Sequence, residues 1–180
     1  MKNRIVLVLF MLLGIVSCMD KQDFDQADDI NAQPVIEGSI LYIEAPESLL
    51  NQSEAPYSYS QEFNFDGFNA PIFADRVLEG TIFYELENTT SKELEILVEF
   101  LDEGGNRLDE QNFHIAPAPV AMMEVPVKYG SGSGKSMDII KNTSGIRVTV
   151  LNLGNNVSVS TLPGPKVIFR SSGKFRMQLR

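Results

Sequence analysis

From residue 82 to residue 100 an apolar side chain stands at every second position on either side of a short polar break: Ile82, Tyr84 and Leu86, then Leu94, Ile96, Val98 and Phe100. A repeat of two belongs to an extended strand with one face toward a core, because successive side chains point to opposite sides; a helix would repeat near 3.6. The pattern returns in SILYIEA (39–45), YSYSQEFNF (57–65), RLDEQNFHI (107–115), VAMMEVPVKY (120–129), GIRVTVLNL (145–153), KVIFR (166–170) and GKFRMQLR (173–180). Gly, Pro, Asn and Ser separate the segments, as turns require. Only SMDIIKN (136–142) reads as helical, over barely two turns. The class is therefore all-β, a single antiparallel β-sandwich of about seven to nine strands with one short helix.

The phrase YELENTTSKELEILVEFLDEGGNRL (84–108) resembles many small immunoglobulin-like modules of bacterial envelope proteins, which implies an immunoglobulin-like sandwich. The single cysteine and the absence of tryptophan set it apart from antibody domains. A fold likeness of this kind assigns no activity.

At the amino end, two cations in MKNR precede the apolar run IVLVLFMLLGIV and then Ser17 and Cys18. That is the layout of an export signal, and its apolar run is too short for a membrane span, which takes roughly 20 residues. Ile15-Val16-Ser17-Cys18 resembles the lipobox of bacterial lipoproteins, which implies a signal peptide over 1–17 and lipidation of Cys18. Two or more acyl chains anchor durably where one does not. Cys18 is also the only cysteine, so no disulfide can form within the chain, and acylation removes a thiol exposed to an oxidising envelope. The residues that follow, MDKQDFDQADDINAQP, hold five acids against one lysine and few large apolar groups, a composition too polar to offset the entropy of ordering. We read 18–37 as an acidic tether and 38–180 as the sandwich. The tether, QADD at 26–29 included, resembles the acidic surface-export stretch of Bacteroidota lipoproteins; that likeness implies a lipid-anchored outer-membrane protein displayed at the cell surface. Read as a plain spacer, the same stretch leaves the protein on the periplasmic face. Met19 after the cysteine also points to the outer membrane under the enterobacterial sorting rule.

Charge is sorted along the chain. The net charge is −9, and without the signal's two cations the mature part carries −11. After residue 138 there is no acid, only Lys141, Arg147, Lys166, Arg170, Lys174, Arg176 and Arg180, so the stretch 18–138 holds −18. If ENTTSKE (87–93) is a hairpin turn, Glu87 stands opposite Glu93 and Glu85 opposite Glu95, with Glu99 further along one acidic face. A hairpin around SSG (171–173) would pair Phe169 with Phe175 and Val167 with Met177 inside. It would leave Lys166, Arg170, Lys174, Arg176 and Arg180 outside. As neighbours in one sheet the two hairpins neutralise each other. On opposite sheets, the acidic face calls for calcium or a basic partner, and the basic one for lipid phosphates or an acidic protein surface.

No catalytic, cofactor or metal-binding set emerges. GSGSGKS (130–136) has the Gly-Lys-Ser of a phosphate-binding loop, but the position that needs its first glycine is Tyr129 and no parallel α/β pattern surrounds it. The loop reads as a glycine-serine connection with Ser136 capping the short helix. His114 is the sole histidine, which excludes paired-histidine metal sites, and DFDQADDINAQ lacks the glycine and closing glutamate of an EF-hand. An exported chain of pI 4.6 is no nucleic-acid binder. The expectation is a non-enzymatic, lipid-anchored accessory subunit of an envelope complex built on a β-barrel transporter, insertase or secretion machine. The alternative is a surface glycan-binding or adhesion lipoprotein, for which Tyr57 and Tyr59 would have to stand exposed beside a groove.

Overall fold

The computed structural model describes residues 32–52, 58–119, 121–130, 132 and 134–179. The stretch expected to be a signal peptide, Cys18 and most of the expected tether lie outside these residues. Eight strands form: β1 (Val35–Pro46), β2 (Ser58–Asn64), β3 (Val77–Asn88), β4 (Leu94–Leu101), β5 (Arg107–Ile115), β6 (Ala121–Tyr129), β7 (Gly145–Asn152) and β8 (Lys166–Met177). Three short helices accompany them: α1 (Glu47–Leu50), α2 (Pro71–Ala74) and α3 (Met137–Lys141). The sequence announced α3, whose Ser136 hydroxyl accepts the Asp138 amide at 3.2 Å. It did not announce α1 and α2, single turns that have no side-chain cap.

The strands pair antiparallel in two four-stranded sheets, one ordered β1-β8-β3-β6 and the other β2-β7-β4-β5. This is the all-β sandwich expected from the alternation. Its connectivity is that of a jelly roll, in which every consecutive pair of strands except β4 and β5 changes sheet. The immunoglobulin resemblance thus extends to the two-sheet architecture and not to the strand order.

Two local expectations are corrected. β3 and β4 are not a hairpin; they belong to opposite sheets and face each other across the core. The chain arches over because the Asn88 side chain folds it: its carbonyl oxygen accepts the Thr90 amide and hydroxyl, and its amide nitrogen donates to the Lys92 and Ala116 carbonyls. Glu85 is therefore paired with Glu124 and Arg170, and Glu95 with His114 and Leu151. Nor does SSG make a turn. β8 runs unbroken from Lys166 to Met177 as an inner strand, bonded to β1 on one side and β3 on the other. Val167, Phe169, Phe175 and Met177 are buried as expected, but along one strand rather than across two.

The domain also starts earlier than residue 38. Val35, Ile36 and Glu37 are paired with Arg176, Phe175 and Lys174, and the Met177 amide donates to the Pro34 carbonyl. The side chains that set the core come from both sheets: Ile82, Tyr84 and Leu86 meet Leu94, Ile96, Val98, Phe100, Val148 and Val150. One end is closed by an aromatic cluster, Phe68, Phe73 and Phe175, with edge-on contacts of 5.0–5.4 Å between Phe175 and its neighbours.

Candidate functional site

The cations of β8 point outward, and each meets an acid on a flanking strand. Lys166 reaches Glu44 at 3.0 Å and Lys174 reaches Glu37 at 2.6 Å, both on β1. Arg176 reaches Glu79 at 3.0 Å, and Arg170 lies 3.9 Å from Glu85 and 4.0 Å from Glu87, all on β3. The Arg170 guanidinium also sits 5.7 Å over the Tyr42 ring. The basic strand is therefore compensated from both sides within its own sheet. Arg180 lies outside the described residues.

Glu93, Glu95 and Glu99 belong to the other sheet. Glu99 stands between Arg147 at 3.4 Å and Arg107 at 3.7 Å, Arg147 reaches on to Glu62 at 2.9 Å, and Arg107 bonds Glu110. The chain of alternating charge crosses all four strands. Glu93 meets His114 Nε2 at 2.8 Å, and Glu95 accepts a hydrogen bond from Asn112. Sequence reasoning found the glutamates but missed the arginines between them, because the register of β7 and β5 against β4 is not written in local alternation.

Lys135 of the glycine-serine loop also has a structural partner. Its ammonium donates to both carboxylate oxygens of Asp109, at 2.7 and 2.8 Å, and the Tyr129 hydroxyl donates to the same group at 3.2 Å. Backbone bonds between Gly130 and Lys135 and between Lys135 and Lys128 close the loop on itself. Gly130 has φ +96°, and a Cβ there would meet the Glu79 backbone at 2.8 Å, so this glycine serves strand contact. Tyr59 is exposed on the edge strand β2, where its hydroxyl donates to Gln61, and Tyr57 lies outside the described residues.

The least anticipated cluster lies where β3 arches to β4. Glu47 and Lys92 are 2% and 0% exposed, with 4.0 Å between carboxylate and ammonium. Glu47 accepts from the Ser91 amide (2.8 Å), the Ser91 hydroxyl (2.5 Å) and the Ser160 amide (2.8 Å). Lys92 donates to the carbonyl and hydroxyl of Ser158, at 2.6 and 2.8 Å. Burial alone would raise the Glu47 carboxyl; the bonds from Ser91 and Ser160 and the charge of Lys92 outweigh it and hold the group below the ordinary carboxylate range. Burial pulls the Lys92 ammonium down, against the upward pull of Glu47. The network ties α1 and the β3–β4 arch to the β7–β8 loop. That loop presents Val157 and Val159 to solvent, 78% and 66% exposed, with Leu153 beside them.

The depressed carboxyl has a sign. Stability from Glu47 is complete above the ordinary glutamate value near 4.5 and is lost as pH falls through the lower value it has when folded. The urea midpoint of the wild-type protein is therefore expected to fall more steeply below about pH 4.5 than that of Glu47→Gln. Parallel profiles would show that Glu47 does not carry this dependence.

Among the described residues no group of three or more His, Cys, Asp or Glu side chains is placed to hold a metal ion, and no helix is long and apolar enough to cross a membrane. No family model and no curated protein sequence matches the chain. Solved structures similar to it include the VP2 subviral particle of infectious bursal disease virus, with 9% identity and a TM-score of 0.43 over 81% of this chain and 33% of that one. The chain thus spans about a third of the VP2 length. Others are Desmodium yellow mottle tymovirus, with 10% identity and TM-score 0.37 over 84% of this chain and 91% of that one, and the disulfide-linked pili of Bacillus endospore appendages, with 10% identity and TM-score 0.36 over 80% and 89%.

Proposed function

We propose that the protein is a lipid-anchored, non-enzymatic accessory subunit of an outer-membrane assembly, docked to a β-barrel transporter, insertase or secretion apparatus. The observation that carries this reading is Cys18, the chain's only cysteine, directly behind an apolar run and Ser17 and 14 residues ahead of the sandwich that begins at Ala32. Two features of the sandwich support it. The β2-β7-β4-β5 sheet pairs charges internally across all four strands in the Glu62-Arg147-Glu99-Arg107 chain. The exposed Leu153, Val157 and Val159 on one loop offer a partner the apolar surface that the sheets do not.

The anchor is tested by growing cells on labelled palmitate. The wild-type protein is expected to carry label and to sediment with membranes. Cys18→Ala is expected to lose the label and to accumulate as the larger, unprocessed chain. Label retained in Cys18→Ala would place acylation elsewhere and end the lipoprotein reading.

A further inference from the structure

A pocket of about 350 Å³ opens on the outer face of the β1-β8-β3-β6 sheet, walled by Val35, Glu79, Thr81, Lys128, Lys174 and Arg176. The register explains why the cations converge. Thr81 is paired with Lys128 of β6 on one side and Lys174 of β8 on the other, and Glu79, two residues earlier on β3, is paired with Arg176. Side chains two apart on a strand share a face, so two ammonium groups flank one hydroxyl and a guanidinium stands on the next row. Their availability differs. Among the described residues Lys128 has no carboxylate partner and the Thr81 hydroxyl has no hydrogen-bond partner. The Lys174–Glu37 pair is more than half exposed on both sides, and pairs of that kind hold weakly against a competing ligand. Arg176 is fixed, its Nε on Glu79 and its Nη1 on Gln33. The set presents positive charge and a hydroxyl donor at one point, which suits a phosphate oxygen cluster.

The pocket has an apolar wall. Val35 is 51% exposed in it, and Leu78 and Leu179 stand exposed where β3 begins and just beyond the end of β8. A free anion in water has no use for such a rim; a headgroup at a bilayer surface does, since its phosphate lies just above acyl chains. This corner is also where the chain enters the sandwich: Ala32, paired with Leu179 through a backbone bond, is 14 residues from Cys18, a reach of at most about 50 Å.

We propose that the Thr81, Lys128, Lys174 and Arg176 pocket binds the phosphate of an anionic lipid headgroup and seats this corner of the sandwich on the membrane. The inference rests on the anchored reading for its geometry, but it is tested without the anchor. All eight strands lie within the compact unit Ala32–Arg180, and that segment, which lacks Cys18, is the protein to use.

The segment is sedimented with phosphatidylcholine vesicles with and without phosphatidylglycerol. It is expected to partition onto the anionic vesicles, and Lys128→Ala/Lys174→Ala is expected to lower that partition about thirtyfold, near fivefold per cation. The charge-matched control Arg107→Ala/Lys141→Ala, outside the pocket, is expected to leave it within about twofold. Equal loss in both variants would reduce the effect to net charge and overturn the pocket. Equal partition onto both kinds of vesicle would overturn the phosphate contact. Saturable binding of inorganic phosphate without vesicle binding would make the site one for free phosphate and overturn the lipid assignment. None of these results bears on Cys18, whose acylation is read separately by palmitate labelling.

Discussion

Lys92→Met is expected to lower the melting temperature by about 10 °C, from a loss of about 3–5 kcal/mol in a domain of this size. Methionine fills the volume of the stem, so the cost is electrostatic. The Glu47 carboxylate keeps its three donors from Ser91 and Ser160 but loses its counter-charge, and the Ser158 carbonyl and hydroxyl lose their donor. A buried charge stripped of its partner costs more than the intact pair contributes. The double variant Glu47→Gln/Lys92→Met is therefore expected to melt above Lys92→Met, because it removes the stranded charge. Amide exchange gives a local readout, with Val157 and Ser158 expected to lose protection first as the β7–β8 loop comes away from the arch. A Lys92→Met protein within a degree of the wild type would mean that the buried pair holds nothing together.

The second large effect is expected at Gly80→Ala. A Cβ at residue 80 would lie 2.2 and 2.5 Å from two atoms of the Phe175 ring, and one at Gly173 would lie 2.3 Å from the ring's other edge. The ring is thus clasped between a glycine of β3 and a glycine of its own strand, and it packs edge-on against Phe68 and Phe73. One methyl group must push the ring out of that cluster or part the strands, an overpacking cost of about 1–3 kcal/mol. Gly38→Ala is the control, since a Cβ there would meet nothing within 4 Å. Adding Phe175→Leu to Gly80→Ala is expected to cost less than the two single changes together, because the smaller side chain makes room for the methyl. If Gly80→Ala melts with Gly38→Ala, the packing around Phe175 is looser than these distances require.

Which residues face the core was legible in the sequence. The period of two assigned Ile82, Tyr84 and Leu86, Leu94, Ile96 and Val98, and Phe169 and Phe175 to the interior, and Lys166, Arg170, Lys174 and Arg176 to the outside. Which strand lies beside which was not legible. A hairpin and an arch across a sandwich place the same alternate residues inward, so the alternation around ENTTSKE fits both. The side chain of Asn88 decides in favour of the arch, through four hydrogen bonds that no spacing rule foretells.

The candidate sites follow the same division. The β8 cations were found, but their partners Glu37, Glu44 and Glu79 come from strands distant in sequence. Lys92 reads as a solvated turn residue until Glu47, 45 positions earlier, is brought against it. Lys128 and Thr81 become a pocket only when β6, β3 and β8 are set side by side.

The most direct test of the subunit role is isolation of the natively expressed, C-terminally tagged protein from its own membranes in mild detergent, with mass spectrometry of what remains bound after moderate salt. Recovery of a large barrel protein in near-equal amount is the expected result. Recovery of the tagged protein alone, from membranes in which palmitate labelling shows it to be acylated, would contradict it.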